Sequence, residues 1–345
     1  MLKQGAATKA LLVVKANAYG HGLLRMASEA VAAGMDMLGV ATIGEAEELI
    51  ESGLSAPVLI MCALDDREIE FCVARDVHFF AWRAEHFDQA AAAADKYGSK
   101  PKIHIEVDTG MSRSGVDRSD FADLIGSLTP RKRDSIVGVS SHFHSADLEC
   151  LDSAAWQLKE FLECVDIARA MGLAPLTHIA NSPASIRLPV SRLDMVRLGV
   201  AAYGLAPSEY TALPAGLGPV LSWMARVTNV KTIPAGRGVG YGWRYVADRA
   251  ERVATLGIGY ADGYHRSPPG VNSVLIGGVE APVVGSVFMD QCVFVVPENV
   301  CCAVGDTAVL IGRQGAKALT ADDLAERWMT NSYDVVAGIR TRVPR

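Results

Sequence analysis

The chain has 345 residues, half of them hydrophobic, and a formal net charge of −6. That is apolar mass enough for one large domain or two ordinary ones, without the basic stripe that a nucleic-acid surface needs. Seven cysteines fall at irregular spacing with no CxxC pair, which argues against a zinc ladder and for reduced thiols; with no apolar run of membrane-spanning length, a cytoplasmic protein is expected.

Over the first 200 residues, short apolar runs alternate with helical patterns. The runs are LLVV (11–14), MLGVA (37–41), PVLIM (57–61), VHFFA (77–81), KIHIEV (102–107), SIVGVSSHF (135–143), LTHIA (176–180) and MVRLGVAA (195–202). Between them, GLLRMASEAVAAG, GEAEELIESG, HFDQAAAAADKYG and SAAWQLKEFLECVDIARAMG repeat apolar residues every three or four positions. Strands that are apolar throughout are those of a parallel sheet covered on both faces. Eight strand–helix units predict an α/β fold, a (β/α)₈ TIM-type barrel; an open doubly wound sheet is the alternative. The basic cluster Arg131-Lys132-Arg133 is expected in a solvated loop.

From about residue 217 the pattern changes. WMARVTNVKTI, GVGYGWRYV, RVATLGIGY, SVLIGG, APVVGSVFMDQCVFVV and DTAVLIG follow one another with Gly and Pro between, and a single helix, TADDLAERWM, comes late. The expectation is a barrel domain over 1–216 and a mainly β C-terminal domain over 217–345, joined through SEYTALPAGLGP.

A barrel enzyme collects its site from the carboxyl ends of its strands. Those positions carry Lys15 and Tyr19 after strand one, Arg113 in DTGMSRSG after strand five, His142 at the end of strand six, Asn181 and Ser182 after strand seven, and Arg197 with Gly199 on strand eight. Singly, each has an ordinary structural explanation. Lys15 could be a surface residue, His142 a core ring, Arg113 a partner of Asp108 or Glu106, and Ser182 a helix N-cap. Together, a lysine, two arginines, a histidine and hydroxyls suit an anionic ligand with an electrophilic carbon. Phosphate sites in such barrels fall after strands seven and eight, and an amine beside a phosphate-bearing aldehyde points to pyridoxal phosphate.

The motifs VVKANAYGHG, DTGMSRSG, HIANSPAS, LDMVRLGVAAYGL, VGYGWRYV, LGIGYADGY, VFMDQ, LIGRQG, TNSYDVV and RTRVPR resemble, in order and over essentially the whole chain, those of the alanine racemases. The resemblance implies a dimeric enzyme that racemises alanine with two bases and supplies D-alanine for cell-wall synthesis. Lys15 would attach the cofactor and act as one base; Tyr241, from the partner subunit, would be the other. Arg197 would face the pyridine nitrogen, and Arg113 the ring hydroxyl and the substrate carboxylate. His142 would lie against cofactor and Tyr241. Tyr19, Ser182, Gly199 and Tyr333 would hold the phosphate, with Asn181 beside them. The backbone amide of Met289, also across the interface, would meet the substrate, and Tyr260 and Asp290 would line the entrance. Arg197 and His142, as positive neighbours, would favour the tyrosinate form of Tyr241.

Three departures stand out. Relatives carry about two dozen further residues before the lysine strand and one more strand segment after RVPR. Many have a carbamylated lysine where this chain has Glu106, whose carboxylate is expected to orient Arg113. Phe288 occupies a position where small residues are common. A serine or broader amino-acid racemase is the alternative, and a decarboxylase of the same architecture is a further one. Arg197 argues against a decarboxylase, since that group places an acidic residue at the pyridine nitrogen.

Overall fold

A computed structural model describes residues 8–345. They form two units. The first comprises Gly22–Gly218 with the described residues up to Ala18; the second comprises Tyr19–His21 and Pro219–Arg345.

The first unit is built on eight parallel strands: β1 (Lys9–Val13), β2 (Met37–Val40), β3 (Val58–Ile60), β4 (His78–Ala81), β5 (Lys102–Asp108), β6 (Ile136–Ser140), β7 (Leu176–His178) and β8 (Met195–Leu198). Neighbours in sequence are neighbours in the sheet from β1 to β7, and β8 pairs with β1. The seam between β7 and β8 is closed by backbone bonds, Asp194 N–H to the Thr177 carbonyl at 3.2 Å and Arg197 N–H to the Ala180 carbonyl at 2.9 Å. The sheet is therefore the expected barrel. Strand residues such as Leu11, Leu38, Leu59, Phe79, Ile105 and Val139 are fully buried, each side chain contributing about 1.5–3 kcal/mol by leaving water.

Helices cover the outside: α1 (Leu23–Ala32), α2 (Ile43–Glu51), α3 (Asp66–Ala74), α4 (Ala84–Tyr97), α5 (Phe121–Ser127), α6 (Asp152–Ala170) and α7 (Ser182–Arg187). Local sequence sets their starts. Thr42 with Glu45 opens α2, and Asp65 with Glu68 opens α3; each pair is a reciprocal capping box. The cluster Arg131-Lys132-Arg133 is not the expected loop but one helical turn, Pro130–Arg133. Thr129 and Pro130 favour that start. Arg133 donates to the carbonyls of Ile125 and Leu128, tying the turn to the end of α5.

The second unit is antiparallel: β9 (Trp223–Ile233), β10 (Glu251–Leu256), β11 (Ser273–Ile276), β12 (Val279–Val284), β13 (Cys292–Val295), β14 (Thr307–Gln314) and β15 (Lys317–Leu319). The order β9-β10-β13-β12-β11-β14 returns to β9, so the sheet closes on itself, with β15 as a hairpin on β14. Closure removes the exposed edges an open sheet would present. Burial alternates residue by residue along the start of β9, from buried Trp223 to exposed Met224 to buried Ala225, as a one-sided strand requires. Two helices follow, α8 (Ala321–Trp328) and α9 (Ser332–Ala337).

Candidate active site

Strand β1 runs into a turn over Lys15–Tyr19 that is left-handed: φ is 54° at Ala16, Asn17 and Ala18 and 51° at Tyr19. Such a conformation costs about 1–2 kcal/mol per non-glycine residue, so the surroundings must hold it. The Ala16 N–H donates to Glu45 Oε1 at 2.6 Å, the Leu23 N–H to Asn17 Oδ1 at 2.8 Å and the Gly22 N–H to the Asn17 carbonyl at 2.9 Å. Glu45 therefore works twice, in the α2 cap and against the turn. The outcome is that Lys15 leaves the barrel wall half-buried, and its Nζ has no hydrogen-bond or ion-pair partner among the described residues.

Arg197, on β8, is 5% exposed. Its Nη1 lies 2.7 Å from His178 Nδ1 and 3.0 Å from the His178 carbonyl. Its Nη2 lies 2.6 Å from the Ser141 carbonyl and 3.1 Å from His142 Nδ1. Of the guanidinium's donors, only Nε–H has no acceptor among the described residues. Burial pushes this group down to about 10, with the Glu106 carboxylate opposing and Arg113 adding to the shift; it remains a cation at neutral pH.

His142 sits two residues beyond the end of β6. Burial first, and then the charges of Arg197, Arg113 and Lys15, hold its pKa well below the ordinary 6.5. The ring is neutral at neutral pH, so the expectation that it is a positive neighbour is corrected. It still borders one tight crevice with Arg113, Glu106 and Ser114.

Arg113 is exposed on a loop shaped by Asp108, whose Oδ1 accepts from the N–H groups of Gly110, Met111 and Ser112 at 2.8, 2.9 and 3.1 Å. Neither Asp108 nor Glu106 forms an ion pair with it. The Glu106 carboxylate, 4% exposed, instead accepts from Ser114 Oγ at 2.8 Å. Burial raises the Glu106 pKa, against the lowering effects of Ser114, Arg197 and Arg113. Glu106 thus takes its hydrogen bond from the neighbouring serine, and its charge acts on Arg113 without a direct bond.

Ser182 is not the N-cap of α7; Asn181 is, accepting from the Ala184 N–H at 3.2 Å. The first helical residue is left free to point elsewhere. Ser182 Oγ accepts from the Gly199 N–H at 2.9 Å and the Ala201 N–H at 3.4 Å, which gathers a hydroxyl and two amides at the β7–β8 seam.

In the second unit, Tyr241 stands at the tip of a hairpin made by Gly238–Val239 and Tyr245–Val246 and is 74% exposed. Tyr241, Tyr260, Met289 and Asp290 line one cleft of about 1170 Å³. Arg342 bridges Asp290 and Asp262 at 2.8 and 2.9 Å. The Met289 N–H has no acceptor among the described residues, while its carbonyl accepts from Ala261 N–H at 2.9 Å. Tyr19 and Tyr333 pack with ring centroids 6.2 Å apart. Burial pushes the Tyr19 phenol up to about 12, so it is a neutral hydroxyl. A Cβ on Gly20 would lie 1.9 Å from the Val336 carbonyl oxygen, and its φ is +76°; only glycine lets this segment lie against α9.

His78, His104, His178 and Ser114 join these contacts without being among the residues that the strand ends and motifs single out. Each of the three histidines stands in an apolar strand run, which was the available signal.

A closed parallel barrel with reactive side chains at the carboxyl ends of its strands, followed by a closed antiparallel barrel, defines a two-part barrel enzyme. The family model for the alanine racemase N-terminal domain matches residues 1–207, and that for the C-terminal domain matches 220–345. The chain is 38% identical to an alanine racemase of Symbiobacterium thermophilum over 340 residues, covering 98% of this chain and 90% of that protein. The crystal structure of alanine racemase from Bacillus anthracis with bound L-Ala-P superposes with a TM-score of 0.92 at 35% identity, over 99% of this chain and 88% of that one. Histidine racemase from Leuconostoc mesenteroides superposes with a TM-score of 0.88 at 30% identity, over 98% and 91%. The chain belongs to the alanine racemase family.

Proposed function

We propose that this enzyme interconverts L- and D-alanine with pyridoxal phosphate, using Lys15 and Tyr241 as bases on opposite faces of the substrate Cα. The observation that carries the reading is the pairing, at one barrel rim, of a lysine amine and an arginine Nε–H that are both uncommitted among the described residues. An amine for an aldehyde and a donor for a ring nitrogen are what this cofactor requires, and Ser182 with Gly199 offers polar groups for its phosphate.

When bound, pyridoxal phosphate supplies an electron-withdrawing ring that weakens the Cα–H bond of an attached amino acid. The chain's own residues do the rest. Lys15 holds the cofactor through Nζ and, once freed from it, accepts or returns a proton on one face. Tyr241 of the partner subunit does so on the other. Arg197 can only donate, so it leaves the ring nitrogen unprotonated and the ring a weaker sink, which favours prompt reprotonation over side reactions such as transamination. Arg113 holds the ring hydroxyl and the substrate carboxylate, assisted by the Met289 amide of the partner subunit. His142 packs beside the ring. Tyr19, Ser182, Gly199 and Tyr333, with Asn181 alongside, hold the phosphate. Tyr260 and Asp290 form the entrance. The working unit in this reading is a cytoplasmic homodimer supplying D-alanine to the cell wall, with the barrel over 1–216 and the β domain over 217–345.

Alanine is favoured over serine and larger amino acids because Phe288 adds bulk beside Tyr241, with centroids 5.5 Å apart. Incubation with L-alanine and pyridoxal phosphate in deuterated buffer tests the proposal. Deuterium at Cα and accumulation of both enantiomers support it; carbon dioxide release, or no exchange, refutes it.

A further inference from the structure

We infer that His78, His104 and His178 form a one-way hydrogen-bond chain through the barrel interior, anchored at His78 and ending on Arg197, that positions the Arg197 Nε–H. The link to a cofactor ring rests on the function proposed above; the chain itself does not.

The three rings climb the barrel diagonally. His78 is the first residue of β4, His104 the third of β5 and His178 the last of β7. His78 Nδ1 lies 2.9 Å from His104 Nε2, His104 Nδ1 lies 2.8 Å from His178 Nε2, and His178 Nδ1 lies 2.7 Å from Arg197 Nη1. Direction follows from the last contact. A guanidinium has donors and no acceptor, so His178 Nδ1 must be bare and its proton must sit on Nε2. That proton goes to His104 Nδ1, which places the His104 proton on Nε2, and this one goes to His78 Nδ1. His142, accepting from Arg197 at Nδ1, is fixed in the same Nε2–H form. One donor-only residue thus sets four tautomers.

The same logic excludes proton conduction. A proton entering at His78 and passing inward would arrive at His178 Nδ1, where an arginine N–H already points. The chain is a strut with polarity, and its neutral rings agree with the depressed pKa of each, burial being the first cause.

The surroundings are built for it. A Cβ on Gly138, in β6, would lie 2.0 Å from His104 Nδ1, so the absence of a side chain there makes room for the ring. Phe80 stacks on His178 with centroids 6.2 Å apart. His104 and His178 are both 0% exposed, so each lost acceptor would leave a buried N–H unsatisfied.

The test uses the full chain with ring-¹⁵N histidine, read by long-range proton–nitrogen correlation near neutral pH without substrate. The expected result is Nε2–H tautomers at His78, His104, His178 and His142. An Nδ1–H tautomer at His104 or His178 overturns the proposal, whatever the enzyme's activity. Two variants add a kinetic arm. His78→Asn retains an acceptor at the position of Nδ1, and His78→Leu removes it. His78→Leu is expected to lower kcat by about tenfold with KM little changed and to shift the His104 and His178 ring signals, while His78→Asn restores both. Equal kinetics for the two variants, or unmoved His178 signals in His78→Leu, also overturn it. Should His78→Leu fail to fold, the tautomers of the unaltered chain decide alone. Loss of alanine racemisation with these tautomers intact would instead strike at the proposed function.

Discussion

The ring of Tyr241 meets that of Phe288 edge-on, with centroids 5.5 Å apart and planes at 70°. Tyr241 is otherwise largely exposed, and the Phe288 edge bounds its ring on one side. Such a pair contributes about 0.5–1.5 kcal/mol beyond burial. Phe288→Ala is expected to lower kcat by roughly twofold to tenfold, measured with purified protein and L-alanine.

Tyr241→Phe removes the proposed second base and keeps the ring. Racemisation should fall by about 10²–10⁴-fold, while Lys15 still exchanges the Cα proton of one enantiomer. Solvent deuterium incorporation, measured separately from L- and D-alanine, should become lopsided. Equal loss from both would remove Tyr241 from its assigned face.

Stability should fall on the acid side. The folded pKa of His78 is held down to about 4, and those of His104, His178 and His142 well below 6.5, with desolvation the first cause throughout. At His78 the charges of Lys102 and Lys9 add to the lowering and Asp76 opposes it. Below the unfolded value of about 6.5 the unfolded chain binds more protons than the folded one, so stability is lost as pH drops from about 6.5 towards 4. Each group contributes at most about 1.4 kcal/mol per pH unit. Urea midpoints across that window check it; a flat profile would contradict it.

Glu106 has the opposite sign. Its folded pKa is raised, by burial first, so its ionised form is a cost above the ordinary carboxylate range. Glu106→Gln should therefore stabilise the fold near neutral pH. It should also weaken binding of the substrate carboxylate at Arg113, because the charge that orients the Arg113 guanidinium is gone. A higher urea midpoint together with a higher KM is the expected pair, and unchanged kinetics would deprive Glu106 of any part in the site.

Gly138→Ala forces a methyl to within 2.0 Å of the His104 ring. Overpacking of this kind costs about 1–3 kcal/mol, which should lower the melting temperature measurably. The ring signals of His104 should move in the same variant.

The amino-acid sequence alone determined a covered parallel sheet followed by a mainly β domain, and which residues stand at the strand ends. Uninterrupted apolar runs separated by three-and-four patterns allow little besides a covered parallel sheet, and eight of them bring Lys15, Arg113, Asn181 and Arg197 to strand ends. Capping boxes at Thr42 and Asp65 were local as well. What tertiary structure decided was partnership. Ser182 turned out to bond the Gly199 and Ala201 amides because Asn181 took the cap. Glu106 met Ser114 rather than Arg113, since a buried carboxylate takes the nearest donor. His142 is held neutral by burial first and then by the cations around it. The contacts from His78 through His104 to Arg197 span 119 residues of chain and exist only because parallel strands four, five, seven and eight face one interior. Periodicity reports which side of a strand is buried. It does not report which buried polar atoms meet, and that is settled by closure of the barrel.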